Sequence, residues 1–195
     1  MAKIKLTKNE LKAQRDALKR FSRYLPTLQL KKQQLQMEMR RLDQEILEKR
    51  DEEQEARATL SSWIQLYSEP IDLGPYAELE ELKTSIGNIA GVNIPVLDSL
   101  VFKQVAWNLF ETSPWVDTGI ERLKQLTRLR VERQILEEQH RLLGEELRTT
   151  TQRVNLFEKV KIPEAKENIR VIRIFMGDQQ TAAVARSKIA KGKSA

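Results

Sequence analysis

The sequence has no cysteine and a single histidine, His140, among its 195 residues. A disulfide framework, thiolate sites and histidine-rich metal sites are therefore excluded. Gly and Pro contribute only 7 and 6 residues, and aromatic residues only 6%, which argues against collagen-like repeats, a turn-rich β fold and a large globular core. Long apolar runs and a signal-peptide core are lacking as well. We expect a cytoplasmic protein, either soluble or peripherally attached to a membrane.

Charge is abundant instead, and it is uneven along the chain. Residues 1–60 carry 15 Lys and Arg against 10 Asp and Glu, residues 61–118 carry 2 against 8, and residues 119–195 carry 17 against 10. Two basic arms therefore flank an acidic centre. Solvated faces of long helices explain such arms best, and nucleic-acid binding is the alternative.

The pattern of the first arm predicts one long helix with a heptad repeat. Thr7 and Glu10 form a capping-box pattern at its start. Two apolar seams then alternate by four and three residues, interrupted by Gln14 and Lys32 and fading into a charged stretch after Ile46. Pro26 predicts a kink without a change of register. The predicted seam residues of this arm are Leu11, Leu18, Leu25, Leu28, Leu35, Met39, Leu42 and Ile46.

The second arm repeats the pattern from Ser113-Pro114, a helix-opening pair. Arg133 and His140 are polar members of its seams. Pro163 interrupts the repeat, which resumes at Ile169, and Gly177-Asp178 favours an end or bend of the helix. The predicted seam residues are Leu129, Leu136, Leu143, Leu147, Val154 and Phe157.

The two arms have comparable lengths, and neither apolar stripe can stay in water. An antiparallel pairing within one chain buries both stripes, whereas a parallel homodimer of such hairpins remains the competing arrangement. We therefore predict a fold dominated by α-helix, with a long antiparallel two-helix coiled coil. The expected boundaries are a coiled-coil helix at 1–60, a central knob at 61–113, a second coiled-coil helix at 114–176 and a short basic tail at 177–195.

The central segment differs from the arms in composition. Its glycines, Pro95 and β-branched residues favour strands and turns, so we expect a small β-hairpin or compact knob at the far end of the coiled coil. Trp63, Trp107 and Trp115 cluster around this segment. Packing of the knob on the stalk explains them best, and a partner-binding surface is the alternative.

No motif in the sequence supports catalysis or a cofactor. Lys191-Gly192-Lys193-Ser194 imitates the end of a phosphate-binding loop, but position 187 is Ser where the motif needs Gly, and no following helix remains. Asp51, Glu52 and Glu53 are consecutive and would point in different directions on a helix, so they suit a solvated face better than a metal site. We expect no catalytic, cofactor-binding or metal-binding residue.

Four stretches together resemble the family of D subunits of rotary vacuolar/archaeal-type ATPases, in its bacterial form. They are Lys5–Leu11, the N-I-A-G-V-N-I-P-V run at 88–96, the R-V-N-L-F-E-K-V-K-I-P run at 153–163, and N-I-R-V-I at 168–172. They span nearly the whole chain in the family's order. Three features depart from the family's pattern. Leu156-Phe157 stands where the family usually has Ala-Leu, Pro26 lies in the first helix, and the tail after Gly177 is short.

The resemblance implies the role of a rotor axle without an active site. It implies that the coiled coil enters the cavity of a hexamer of catalytic A and B subunits, and that the opposite end meets the F subunit and a socket subunit on the membrane rotor ring. Torque would couple ATP synthesis or hydrolysis to transport of H⁺ or Na⁺. The tip facing the hexamer would comprise Ile4, Leu6, Lys8, Arg186, Lys188 and Lys191, and the distal knob Ile89, Gly91, Val92, Ile94, Pro95 and Trp107.

Two other classes of protein compete with this interpretation. A nucleic-acid-binding coiled coil would concentrate basic residues on one face beside stacking aromatics, whereas acidic residues are interleaved along both arms. A homodimeric structural coiled coil has no need of a β-rich segment between arms of similar length.

We predict that the purified chain neither binds nor hydrolyses ATP, because it lacks a phosphate loop and an acid–base pair. Equilibrium binding of a fluorescent ATP analogue and a phosphate-release assay check this. A turnover above contaminant level that a substitution in this chain abolishes would contradict it.

Overall fold

The computed structural model describes residues 4–61, 74–105 and 115–193. Within these residues the architecture is helical apart from one two-stranded antiparallel sheet, as the sequence predicts. In chain order the elements are helix α1 (Lys8–Ser61), a 3₁₀ turn (Gly74–Tyr76), strands β1 (Leu79–Ile89) and β2 (Val92–Phe102), helix α2 (Val116–Asn155), a π-helical turn (Leu156–Lys161) and helix α3 (Ile162–Lys193).

The start of α1 follows the predicted capping pattern. The Thr7 hydroxyl accepts a hydrogen bond from the backbone N–H of Glu10 at 3.3 Å, and the Thr7 carbonyl accepts from Leu11. One otherwise unpaired donor of the first turn is thereby satisfied. Pro26 lies inside α1, which continues through it.

The chain divides into two compact units. The terminal unit comprises Met1–Gln33 and Arg148–Ala195, and the central unit comprises Gln34–Leu147. In the terminal unit Gln14 of α1 bonds to Asn168 of α3, and Phe21 stacks near Phe157 with ring centroids 5.2 Å apart. Residues further along α1 contact residues that lie earlier in the second arm, so the two segments run antiparallel.

The central unit holds a second antiparallel pair of helical segments and the hairpin. Asp43 of α1 meets His140 of α2, and Lys49 meets Glu132 further on. The helices of each unit therefore pair within one chain, and the homodimer of such hairpins stays the alternative prediction.

The hairpin is closed by the tightest loop available to antiparallel strands. Ile89 pairs with Val92, and Ala90 and Gly91 between them have φ angles of 51° and 81°. Positive φ at both loop residues is the signature of a type I′ turn, which matches the twist of the flanking strands. The Asn88 side chain reinforces it by accepting from the Gly91 N–H at 3.0 Å and donating to Asn93 at 2.9 Å.

The tip of the hairpin packs against the helices well before the end of α1. Ile94 shares a buried cluster with Leu35, Leu42 and Leu143, and Ile89, Ala90 and Val92 pack on it. The side-chain amide of Gln139 on α2 donates to the Pro95 carbonyl at 2.5 Å. The base of the hairpin lies nearer the start of α2, where the Lys124 ammonium sits 5.8 Å from the centre of the Phe102 ring.

Placing this knob at the far end of the coiled coil was therefore wrong. Leu35 lies 26 residues before the end of α1 at Ser61, which is about 39 Å of helix. The physical reason is burial, because two helices leave the flanks of their seam open to water. Under the hairpin Leu35 and Leu143 are 0% exposed, whereas Leu11 and Leu18 of the terminal unit stay half-buried.

The π-helical turn marks a one-residue shift in the seam of the second arm. Before it, buried or half-buried side chains recur every seven residues at 143, 150 and 157, and after it at 165 and 172. The step from Phe157 to Ala165 is eight residues. One residue more than a heptad turns the apolar stripe away from its partner, and a π-helical turn, which adds a residue to the helix, absorbs the excess.

The helix does not end where the sequence suggested. α3 runs through Gly177 and Asp178 to Lys193, so the predicted stop at this point was wrong. Glycine costs only about 1 kcal/mol in a helix interior relative to alanine. The Thr181 hydroxyl also donates to the Gly177 carbonyl at 3.0 Å.

We predict that deletion of Val160, an exposed residue of the π-helical turn, leaves stability within about 1 kcal/mol of the wild type. The deletion brings Ala165 to heptad spacing from Phe157, so a regular α-helix can keep both halves of the seam in place. Urea unfolding followed by circular dichroism provides the measurement.

Deletion of Gln134, an exposed residue of α2, is the matched control. It rotates every later seam residue away from α1 and should cost several kcal/mol. Equal losses from both deletions would contradict the role assigned to the π-helical turn.

Candidate interaction surfaces

Ion pairs replace apolar contacts at the charged end of the central unit. The Glu53 carboxylate accepts from the Arg133 guanidinium at 2.9 Å and from Arg57 at 2.9 Å. Glu53 keeps only 6% of its surface exposed, and Arg133 also reaches Glu137 at 2.5 Å. A buried carboxylate is tolerated because both of its oxygens are paired.

Burial and pairing act on the Glu53 carboxyl in opposite directions. Burial raises the pKa of Glu53, but the hydrogen bond and charge of Arg133, together with the charges of Arg57 and Arg130, outweigh it. The pKa of Glu53 therefore lies below its ordinary value. The hydrogen bonds from Arg133 to Glu53 and to Glu137 raise the pKa of the guanidinium in turn, so both groups stay charged.

Polar contacts between α1 and α2 recur at two further positions along this helix pair. The Lys49 ammonium lies 2.9 Å from Glu52 on its own helix and 3.1 Å from Glu132 on α2. Hydrogen bonding to Glu52 raises the pKa of Lys49, partial burial opposes it, and Glu132 adds to the rise. His140 lies half-buried with its Nε2 atom 2.9 Å from Asp43, as befits a polar residue between helices.

These polar contacts occupy the continuation of the predicted seams. Lys49 lies seven residues after Leu42, and Glu53 lies seven after Ile46. Interpreting the stretch after Ile46 as a solvated face was therefore wrong for Glu53. The signal available in the sequence was the heptad spacing itself, which continues through charged residues when the facing helix offers opposite charges.

None of the fourteen predicted seam residues is exposed. Buried members are Leu35, Leu42, Leu129, Leu143 and Val154. Half-buried members are Leu11, Leu18, Leu25, Leu28, Met39, Ile46, Leu136, Leu147 and Phe157. Ile169, at which the repeat was expected to resume, is buried as well, as are Thr150, Ala165 and Ile172. The seam assignment stays a proposal for the coiled coil as a whole.

The residues predicted for a common tip are brought together only in part. Leu6 and Lys8 line a groove with the α3 segment from Met176 to Ala183, and Ile4 is half-buried. Arg186, Lys188 and Lys191 lie further along α3, where every residue from 177 to 193 is exposed. Val184 and Ile189 are exposed apolar side chains in this segment.

The residues predicted for the knob serve different purposes. Ile89, Val92 and Ile94 face the helices, Gly91 forms the turn and the Pro95 carbonyl binds Gln139. Trp107 lies outside the described residues, as does Trp63. Trp115 packs on the small buried cluster of Val116 and Ile120 at the start of α2. Leu82 and Ile86 of β1 are exposed, Ile86 at 79%.

Charge is divided between the two units more sharply than along the chain. The terminal unit carries 21 Lys and Arg against 6 Asp and Glu, and the central unit 13 against 22. Their formal net charges are therefore +15 and −9. Pairing the first 33 residues with the last 48 gathers into one unit two basic segments that are distant in sequence.

The described parts of the chain offer no cluster of three or more acidic or histidine side chains for a metal ion. Asp51 and Glu52 are exposed while Glu53 is paired with arginines. The segment Lys191-Gly192-Lys193-Ser194 resembles the end of a phosphate-binding loop in sequence. Its first three residues belong to the end of α3, and Ser194 lies outside the described residues.

Comparison with known proteins gives a consistent result. The family model described as the ATP synthase D subunit matches residues 10–192. The chain is 51% identical over 191 residues to the V-type ATP synthase D subunit of Borreliella burgdorferi, covering 98% of this chain and 95% of that protein. It is 34% identical over 195 residues to the protein of the same description in Chlamydia caviae, covering 98% and 94%.

We predict that Arg133→Met costs about 3 kcal/mol of unfolding free energy, the low end for a broken buried pair because Arg57 still binds Glu53. Adding Glu53→Leu should restore stability to within about 1 kcal/mol of the wild type, since the unpaired charge is then removed. Urea unfolding of the single and double variants measures both. A double variant less stable than Arg133→Met would contradict the pairing.

The pH dependence provides a second readout of the same pair. Because the pKa of Glu53 is lower in the folded than in the unfolded chain, its contribution is complete above the ordinary glutamate pKa of about 4.3. It is lost as the pH falls through the depressed value. The double variant should lose less stability than the wild type over this acid range.

Proposed function

This chain belongs to the family of ATP synthase D subunits, and from that premise we propose that it is the central rotor axle of a rotary V-type ATPase. It transmits torque between a hexamer of catalytic A and B subunits and the ion-translocating ring in the membrane. ATP synthesis or hydrolysis is thereby coupled to transport of H⁺ or Na⁺. The chain itself is non-catalytic and needs no cofactor.

The observation that carries this proposal, beside the family, is the antiparallel helix pair with interlocked polar contacts. An axle must not let one helix slide along the other, and apolar side chains alone tolerate sliding by a heptad. Glu53 with Arg133 and Lys49 with Glu132 fix the pairing, since a slip would leave a buried charge without its partner. A single polar layer of this kind sets register in coiled coils.

The charge of the two units supports the orientation of the axle. We place the terminal unit, with both chain ends and a net charge of +15, inside the hexamer cavity. The exposed segment of α3 after Gly177 would bear against the hexamer with Val184 and Ile189. Its asymmetric surface would favour a different state at each of the three catalytic interfaces.

The central unit would then face the other components of the rotor. The F subunit and the socket subunit on the membrane ring are the partners that we propose for it. The exposed apolar side chains of β1, Leu82 and Ile86, make the outer face of the hairpin a candidate contact. No helix in the described residues could cross a membrane, and we propose that the chain stays peripheral to the cell membrane through the complex.

We predict that removal of residues 178–195 weakens coupling but not assembly with the F subunit. The described residues of this segment are all exposed, so the helix pair should still fold. The truncated chain should match the full chain in capturing the F subunit, while ATP-driven ion pumping by the reconstituted complex falls relative to its ATPase rate. Pull-down and pumping assays on the same preparation measure the two effects.

Met37→Ala provides the control, because Met37 is a 69% exposed side chain of the central unit and should leave both assays unchanged. If the truncated chain failed to capture the F subunit yet kept its coupling, the proposed orientation would be inverted.

A further inference from the structure

A stripe of exposed residues follows α1 on the side away from the seam. α1 is one continuous helix from Lys8 to Ser61, and residues seven or eleven positions apart on a helix fall within about 20° of the same line. We call the six residues on this line the outer stripe; all are exposed, and they are Lys12, Lys19, Leu30, Met37, Glu48 and Glu55. Leu35 and Leu42, which belong to the buried cluster, lie on the far side of the helix.

The outer stripe is complementary to itself. It begins with two lysines, continues with two apolar residues and ends with two glutamates. Leu30, 56% exposed, and Met37, 69% exposed, are equally distant from the point between Gln33 and Gln34. Each glutamate lies as far after that point as one lysine lies before it. A second α1, antiparallel and related by a two-fold axis through this point, would place every stripe residue opposite its complement.

The charges of the outer stripe are available for such a contact, whereas neighbouring carboxylates of α1 are engaged. Glu38 and Glu45 bind the Arg41 guanidinium, and Glu52 binds the Lys49 ammonium. Within the described ranges, by contrast, the lysines and glutamates of the stripe form no ion pair. The charged side chains that α1 leaves without a partner are therefore the ones that the two-fold operation brings together.

We propose that the free chain forms an antiparallel homodimer through the outer stripes of two α1 helices. Leu30 of each copy packs on Met37 of the other, and the lysines of each copy meet the glutamates of the other on both flanks. The inference goes beyond the proposed function and does not rest on it. An axle at the centre of one hexamer is a single copy, so the dimer belongs to the chain outside the complex and Met37→Ala remains a control for the complex.

The charge of the whole helix favours the antiparallel orientation. Residues 8–33 carry 8 Lys and Arg against 2 Asp and Glu, and residues 34–61 carry 5 against 8. A parallel pair would set like charges against each other, which disfavours it. An antiparallel pair shifted by one heptad would keep only one of the two lysine–glutamate contacts and would separate Leu30 from Met37. Because the paired charges are exposed, the dimer should weaken as salt rises.

The test is charge reversal with rescue by mixing. The first variant carries Lys12→Glu and Lys19→Glu, and the second carries Glu48→Lys and Glu55→Lys. Each variant alone opposes like charges, so its dimer should be at least about tenfold weaker than that of the wild type at low salt. An equal mixture should form a mixed dimer of wild-type affinity, because every charged stripe position of one variant then faces the opposite charge in the other. Sedimentation equilibrium measures the dissociation constants.

The matched control carries Arg20→Glu and Arg50→Glu, two exposed residues of α1 that lie at least about 90° from the outer stripe. It changes the net charge as much as the first variant does, and circular dichroism checks that all variants are helical. The control should dimerise like the wild type, to within about threefold, since charges away from the contact are screened. Equal weakening of the control and the first variant would overturn the proposal, as would a wild-type chain that stays monomeric at low salt.

Engineered cysteines report the orientation, because the chain has none of its own. Chains with Lys19→Cys and chains with Glu48→Cys should form a mixed disulfide when they are oxidised together. Neither variant should crosslink to itself, since the two copies of each position lie about 40 Å apart in the antiparallel dimer. Efficient crosslinking of Lys19→Cys to itself would indicate a parallel pair and would show that the proposal is wrong.

Discussion

The heptad seam is the constraint on which the other features of this molecule depend. A stripe of leucines on each helical segment has to leave water, and two helices bury it only along a narrow line. Members of the stripe in the terminal unit consequently remain half-buried, such as Leu11 and Leu18. At Glu53 the seam holds a charged residue, and Arg133 of the facing helix supplies its partner.

The hairpin completes burial where the seam alone cannot. Ile94 at the strand start covers the cluster of Leu35, Leu42 and Leu143 and turns a two-helix contact into a three-sided core. A tight two-residue loop is what allows the strand ends to fit there, because a longer loop would place more polar backbone against the leucines. The stiffest part of the central unit should accordingly lie beneath the hairpin, and this would suit the transmission of torque that we propose.

The polar contacts and the division of charge would answer two different needs of the axle that we propose. Glu53 with Arg133 and Lys49 with Glu132 resist sliding inside the central unit. The terminal unit carries 21 basic against 6 acidic residues, and the proposed function assigns this positive charge to contact with a partner. The π-helical turn absorbs the one-residue shift in the heptad spacing after Phe157. The apolar side chains beyond the turn therefore stay buried, while the exposed face of the helix is rotated by one residue.

The sequence by itself determined the helical class, the capping at Thr7 and the existence of a hairpin, because each rests on local periodicity or turn chemistry. The resemblance of its motifs added the family. Only the tertiary structure decided that the hairpin lies on Leu35 rather than at the end of the helices, and that Glu53 is buried. Each of these depends on which residues meet from segments more than 50 positions apart, and heptad spacing is the same for every register by which two helices can pair.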